Sequence, residues 1–429
     1  MSYQTGLSGL TAASQNLDVI GNNIANASTV GMKSSTAEFA DLVASAIGSG
    51  SMANTPGIGT TVSNIAQNFS QGNVNITGNS TDVAINGDGF FQVTQSDGST
   101  AYTRDGQFQL DKNGFLMTSS GANVMGYPTD NTGKVTNTTT QKLQLPTGAP
   151  IGANATSSIV ATLNLNASTP TATTGTAATQ FGTTVTAYDA QGDAVPVSLY
   201  FVKSALDTWN VYGSSAAATA DLSTNPTAIA GGTAGTSMFQ MVFNPDGTLN
   251  TTVTPATPTI TLQSVNTNIQ NNDAAGNPLL PGQFQATLDI SKATEYGTSF
   301  AVSSLTQNGY TAGQFTGLSI DNKGVITTTY SNGQTLESGG MIALATFRNA
   351  QGLTPTGGGL FHETYKSGAA LMGDPTIGNF GALQAGAVEQ SNVDLTSELV
   401  NMMTAQRNYQ ANAQTIKTQG QIMQTLVNL

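Results

Sequence analysis

The 429-residue chain has no cysteine, one histidine (His362), one tryptophan (Trp209), and only 12 basic and 24 acidic side chains. Each scarcity excludes something. Without cysteine there are no disulfides, no thiolate nucleophile and no Cys-ligated zinc. One histidine cannot build a His-rich metal site, and it argues against a His-dependent triad. Twelve basic residues in a chain of net charge −12 cannot form the electropositive surface that nucleic acid requires. No apolar run reaches the ~18 residues of a membrane span. The first charged side chain is Asp18, so the basic n-region of a cleaved secretory signal is missing. Charged residues make up 8% of the chain, against about 25% in an ordinary soluble domain. Solubility must come from the hydroxyls and amides of Thr, Ser, Asn and Gln. A hydrophobic share of 38% is still enough for packed cores and argues against disorder. At roughly 150 residues each, the length allows two to four domains.

Two segments carry helical periodicity, one near each end. Over about residues 3–27, Leu10, Ala13, Leu17, Ile20, Ile24 and Ala27 follow a 3-4-3-4-3 spacing, a heptad seam on one helical face. Asparagines and Val30-Gly31 close it. Over about residues 392–429, Leu395, Met402, Tyr409, Ile416 and Met423 recur at every seventh position. Leu399, Gln406, Ala413, Gly420 and Val427 form the companion series. The pattern lasts about five heptads without proline, beyond the three or four that argue for a coiled coil. Asn392 and Asp394 are good caps, and Glu398 lies in the first turn. Gly6, Gly9 and Gly21 each cost about 1 kcal/mol relative to Ala in a helix interior. Burying a Leu or Ile gains about 1.5–3 kcal/mol only where a partner surface exists. Both helices are therefore expected to be ordered by partners.

Between the ends the pattern changes. Ser35 to Glu38 resembles a capping box, and Phe39, Leu42, Val43, Ala46 and Ile47 at helical spacing predict a short helix before a loose linker over 48–60. From about 74 the period is two. Val83–Ile85 and Phe90–Val93 read as strands joined by the Asn86-Gly87 and Asp88-Gly89 turns. The device recurs at Asp97-Gly98, Asp105-Gly106 and Asn113-Gly114, which reads as a dense antiparallel meander. Residues 146–180 are a low-complexity Thr/Ala/Asn/Gly stretch and read as a domain crossing. Val195, Val197, Leu199 and Phe201 alternate in a second β region, as do Phe239, Met241 and Phe243 before Asp246-Gly247. A breaker cluster at 271–282 ends that region, strands resume from about 284, and a Gly-rich passage over 352–387 leads to the final helix. The expected fold is mainly β with terminal α-helices, which pair as a coiled-coil-like layer around two nested antiparallel β domains. The helical ends are set at 1–31 and 390–429, linkers at 32–75 and 362–389, an inner β domain at 76–147 and 286–361, and an inserted outer β domain at 148–285.

Candidate chemistry is thin. His362 with Glu363 suggests a general base, but no orienting constellation accompanies it. Gly87-Asp88-Gly89 and Gly357-Gly358-Gly359 look like phosphate-loop fragments without the strand–loop–helix context or the Gly-Lys-Ser/Thr run. Asp82, Asp88, Asp105, Asp111, Asp246 and Asp321 sit beside glycines or in turns, where turn chemistry explains them. Asn-x-Ser/Thr matches such as Asn154 and Asn166 follow from composition. No catalytic, cofactor-binding or metal residue is expected. The terminal heptads are the exception, with two readings: one intramolecular pair on the β core, or packing between copies in a polymer. Small and polar seam residues with little charge suit many close neighbours. The interface candidates are Leu10, Ala13, Leu17, Ile20, Ile24 and Ala27, with Leu395, Leu399, Met402, Gln406, Tyr409, Ala413, Ile416, Met423 and Val427.

The stretch Ser8 to Ser35, SGLTAASQNLDVIGNNIANASTVGMKSS, closely resembles the N-terminal signature of the flagellar rod and hook axial proteins. Ser391 to Leu429 resembles their C-terminal signature, and 69–91 and 102–117 look like the family's first β elements. The size of the insertion, with 304–326, is most similar to the hook branch. The resemblance implies a non-enzymatic subunit of a flexible, curved extracellular tube that transmits torque, with the terminal helices as its innermost layer. It also implies export by the flagellar type III apparatus. The implied partners are further copies of the chain, the distal rod, the hook cap and the hook–filament junction, with no nucleic acid and no membrane insertion. Other readings are another axial protein, such as a distal-rod or junction member, or a secreted β-rich adhesin or hydrolase.

Overall fold

The computed structural model describes residues 2–43, 57–148, 150–171, 180–215, 238–255, 257–263, 278–279 and 283–427. The chain opens with helix α1 (Ser2–Ala25) and closes with helix α2 (Leu395–Val427), and nearly all regular structure between them is β. It divides into two compact units. One comprises Met1–Gly148, Thr316–Thr329 and Thr335–Leu429; the other comprises Ala149–Phe315 and Tyr330–Gln334. No helix among the described residues is long and apolar enough to cross a membrane.

The first unit holds both helices. Its main sheet runs in the order Thr354–Gly357, Leu360–His362, Thr100–Thr103, Phe90–Thr94, Asn123–Tyr127, Leu116–Thr118, Phe108–Leu110. Asp97-Gly98 and Asn113-Gly114 each close a hairpin, as their sequence predicts. The turns at 86–89 do not. Val83–Asn86 pairs with Ala382–Ala385, and Phe90–Thr94 joins the main sheet. Asp105-Gly106 also joins strands with different partners, because Thr100–Thr103 pairs with Phe90–Thr94 and Phe108–Leu110 with Leu116–Thr118. Turn sequence permits a hairpin but does not choose the strand that pairs. One face of the sheet carries Phe90, Tyr102 and Phe361, packed edge-to-face with Phe69 and Phe347 at centroid distances of 4.8–5.9 Å.

The predicted helix after residue 35 is a strand. Ser35–Val43 pairs antiparallel with Gly57–Gln67, with register shifts at Glu38/Phe39 and Leu42/Val43. Phe39 and Leu42 remain exposed, so helical spacing had no buried face to serve. The β-branched Thr60, Thr61, Val62 and Ile65 favour the extended partner. Ala46, Ile47 and most of the expected 48–60 linker lie outside the described residues. Nor is 362–389 a linker. Strands Leu371–Gly373, Ala382–Ala385 and Ala387–Glu389 pair with Leu344–Thr346, Val83–Asn86 and Val74–Ile76.

The second unit has a four-stranded antiparallel sheet, Gln180–Tyr188, Ala194–Ala205, Thr208–Ser215, Phe239–Val242. A five-stranded sheet is centred on Ser158–Asn166. The two share one core containing Ile159, Leu163, Leu165, Val197, Leu199, Phe201 and Trp209. Strand Ser158–Asn166 lies inside the stretch read as a low-complexity crossing. Its alternating Ile159, Ala161, Leu163 and Leu165 are all buried, and composition masked that period. It pairs antiparallel with Ala301–Gln307 but parallel with Gln283–Asp289 and Thr294–Tyr296. These pairings carry the second unit on to Phe315, past the boundary expected at 285. Most of the breaker cluster at 271–282 lies outside the described residues.

Candidate assembly interface

Helices α1 and α2 pack antiparallel along their length. Opposite Gly6 lies Ile416, whose Cγ1 is 3.1 Å from where a Cβ would stand. Opposite Gly9 lies the Asn412 amide at 3.0 Å by the same measure, and Asn23 Nδ2 donates to Glu398 Oε1 at 3.4 Å. Small residues set this seam: Ala12 and Ala405 are almost wholly buried. The glycines that weaken α1 in isolation thus permit close approach in the pair. Asp394 caps α2, its Oδ1 accepting from the amides of Thr396 (2.9 Å) and Ser397 (3.4 Å). Glu398 adds negative charge to the first turn, where the helix dipole favours it. Asn392 is not a helix cap. It ties together the segments flanking the Ser35–Val43/Gly57–Gln67 pair, accepting from Ser34 N at 2.8 Å and donating to the carbonyls of Asn68 and Ser70.

The Ser35–Val43/Gly57–Gln67 hairpin lies along another side of α1. Buried Asn23 donates to Ser35 O at 2.8 Å and accepts from Ser35 N at 2.9 Å, while Thr60 N donates to Ser8 Oγ at 3.3 Å. Thr5, Gly9 and Ala12 of α1, Phe39 and Thr60 of the hairpin, and Ala405 and Asn412 of α2 surround one groove.

The sequence candidates fall around this assembly. On α1, Ile20 is buried, and Leu10, Ala13, Leu17 and Ile24 are half-buried, as is Ala27 in the turn after the helix. On α2, Met402, Ala413 and Ile416 are half-buried, while Leu395, Leu399, Gln406, Tyr409 and Met423 are exposed. The side chain of Val427 lies outside the described residues. The intramolecular seam runs one position round from part of each predicted series, through Gly9 and Asn23 rather than Leu10 and Ile24. On α2 it runs through Glu398, Ala405 and Asn412 rather than Leu399, Gln406 and Ala413. A search for large apolar residues misses a seam that selects small ones. Several large ones are left outward, Leu399 at 51% exposure with Val400, Met403 and Ile422, and Tyr3 and Leu7 on α1.

Where the helices meet the sheet sits a buried charge cluster that heptad reasoning did not find. Lys33 Nζ lies 2.6 Å from Glu389 Oε1 and donates to Ser70 O at 2.8 Å. Arg104 Nη1 lies 3.2 Å from Glu389 Oε2, and the guanidinium stands over the Phe90 ring. Gly72 N donates to Glu389 Oε1, and Gly31 N to the Glu389 carbonyl, both at 2.8 Å. The Lys33 and Glu389 side chains are 0% exposed. Burial pushes the Lys33 ammonium below the ordinary lysine value; Glu389 pulls against this and the Arg104 charge adds to it. Gly31, at φ +70°, admits no Cβ, which would stand 2.6 Å from Asp105 N. One carboxylate from just before α2 thus holds the chain leaving α1, the loop at 70–72 and the end of a sheet strand. The available signal was scarcity: few cations exist, and Lys33 closes the helical signature. The second unit has its own buried pair, Lys203 Nζ to Glu295 Oε1 at 2.9 Å, with the ammonium 5.5 Å from the Trp209 ring centroid.

His362 is half-buried on its strand. Asp111, Asp246 and Asp321 accept backbone N–H bonds within their own turns, from Asn113, Thr248 and Lys323 among others. No group of three or more potential metal ligands occurs among the described residues.

Four segments match flagellar families. Residues 4–33 match the flagella basal body rod protein family, and 84–162 the flagellar hook protein FlgE/F/G D1 domain. Residues 162–310 match the flagellar basal body protein FlaE D2 domain, and 384–429 the flagellar basal body rod FlgEFG protein C-terminal family. The chain is 42% identical to the flagellar hook protein FlgE of Escherichia coli K12 and 40% identical to that of Salmonella typhimurium, over the full length of each chain. The crystal structure of Helicobacter pylori flagellar hook protein FlgE2 shares the fold at 15% identity, with a TM-score of 0.52 over 74% of this chain and all of that one.

Proposed function

The chain belongs to the flagellar hook protein family, and from that we propose that it is the structural subunit of a bacterial flagellar hook. Copies assemble into a flexible curved tube that transmits torque from rod to filament, and the terminal helices form its inner layer. The observation that carries this reading is the outward row of large apolar side chains on a helix pair that is already packed on its other side. On α2, Leu395, Leu399 and Met403 at four-residue spacing, with Val400 beside them, form an exposed apolar row, and Tyr409, Ile422 and Met423 are exposed further along the helix; an exposed apolar row of this kind marks an interaction surface. A second copy covers it. Head-to-tail contacts of one surface against a different one generate helical polymers. Lateral contacts between the β units would be rich in amides and hydroxyls, which exchange partners and bridging waters at small cost as a bent tube turns. The distal rod, hook cap and hook–filament junction bound the tube, and subunits reach it through the flagellar type III apparatus, outside the cell and without membrane insertion. The role is structural, with no catalytic step.

Leu399→Glu combined with Met403→Glu tests this. Purified chain carrying both changes is expected to keep its denaturant midpoint while losing tube formation in negative-stain microscopy, and to leave a hook-null cell non-motile. Normal tubes from the variant would sink the proposal.

A further inference from the structure

We propose that Asn86–Gly87 is a site of spontaneous covalent modification, deamidation through a cyclic imide, and that the Gln71 side chain restrains it. The chain has four Asn-Gly pairs, at 86–87, 113–114, 308–309 and 332–333. Glycine after asparagine leaves the following amide unhindered and free in conformation. That amide nitrogen loses its proton and attacks the asparagine Cγ. A new N–Cγ bond forms, the side-chain nitrogen takes up a proton and leaves as ammonia, and water opens the ring at either carbonyl. The products are aspartate and iso-aspartate. Two restraints oppose the attack: a hydrogen bond from the glycine N–H, and a held asparagine side chain.

Three of the four pairs have both restraints from firmly placed groups. Asn113 Nδ2 donates to Asp111 Oδ2 at 3.2 Å, and Gly114 N donates to Asp111 O at 3.0 Å. Asn308 Oδ1 accepts from the amides of Ser157 and Ser158 at 3.0 and 2.9 Å, its Nδ2 donates to Ser157 Oγ at 2.9 Å, and Gly309 N donates to Gln307 Oε1. Asn332 Nδ2 donates to Thr311 O at 2.6 Å, its Oδ1 accepts from Gln334 N at 3.1 Å, and Gly333 N donates to Tyr330 O at 3.0 Å.

Asn86 differs. Both restraints come from one exposed side chain. Gln71 Oε1 accepts from Gly87 N at 3.1 Å, and Gln71 Nε2 reaches Asn86 Oδ1 at only 3.5 Å while donating to Ile85 O at 3.3 Å. When Gln71 swings away, the nucleophile and the amide it attacks are released together. The backbone consequence is local and definite. Asn86 is the register partner of Ala382, Gly381 N donates to Asp88 O at 2.8 Å, and a Cβ on Gly87 would stand 3.0 Å from Gly381 Cα. An iso-aspartate adds a backbone methylene at this close crossing, and either product adds a carboxylate next to Asp88. The strand Ala382–Ala385 that would lose register leads directly to Glu389 and the buried charge cluster.

The test uses the full-length chain, held at 37 °C and mildly alkaline pH, with peptide mass spectrometry following all four Asn-Gly sites in one sample. Asn86 is expected to convert first, with the other three as internal references. Gln71→Ala is expected to speed Asn86 alone, roughly two- to ten-fold, the factor a single net hydrogen bond supports. Any of the other three matching Asn86 in the unmutated chain overturns the proposal, as does an unchanged Asn86 rate in Gln71→Ala. Equal acceleration at all four sites also overturns it, because it assigns Gln71 a general stabilising role. The ranking in the unmutated chain stands without any variant.

Discussion

At the scale of single residues, scarcity of charge makes each buried ion consequential. Glu389 pairs with two cations in a buried site, and breaking a buried pair by removing one partner costs about 3–5 kcal/mol, because the remaining charge is left uncompensated. Glu389→Ala is therefore expected to lower the stability of the first unit by about 3–5 kcal/mol in a denaturant titration, with the second unit's transition unmoved. Tyr102 gives a pH test. Burial, then the charge of Glu363, then the hydrogen bond from Tyr102 Oη to Glu363 Oε2 at 3.2 Å, raise its phenol above the ordinary value. A raised acid favours its neutral form in the fold. Its contribution is complete below the unfolded value of about 10 and is lost as pH rises through the higher folded value. Tyr102→Phe is expected to flatten the loss of stability above about pH 10, measured as denaturant midpoint against pH. The pairing of these ions was not legible in the sequence. Glu389 lies 356 positions from Lys33, and no local period connects them.

At the scale of elements, local periodicity told helix from strand only where one face is buried. The alternation of Val195, Val197, Leu199 and Phe201 reports a strand whose inner side chains are fully enclosed. The helical spacing of Phe39 and Leu42 misleads because both lie on a paired strand and stay largely exposed, so no buried helical face stands behind the period. In α1 and α2 the heptads established that the helices exist and that they are long. The face each turns to the other was hidden because Gly6, Gly9 and Ala405 carry no hydrophobic signal in a count of large side chains. This inversion explains why Leu399→Glu with Met403→Glu should spare the monomer: both positions are exposed on the helix pair, away from Ala405 and Asn412.

At the scale of the whole molecule, the two helical ends around a β middle were readable from the change of period, while composition misplaced the crossings into and out of the second unit, as strand Ser158–Asn166 within the low-complexity stretch shows. Strand partners were not readable. The second unit reaches Phe315 because Ala301–Gln307 pairs with Ser158–Asn166, across a separation that no turn signal spans. The central claim is that the outward apolar row of α2 is buried between copies. The absence of cysteine offers the most direct measurement, since a single introduced thiol is the only one present. Leu399→Cys should react fully with a maleimide in dilute monomer and be protected in isolated hooks assembled from the same variant. Equal labelling in monomer and hook would contradict the account.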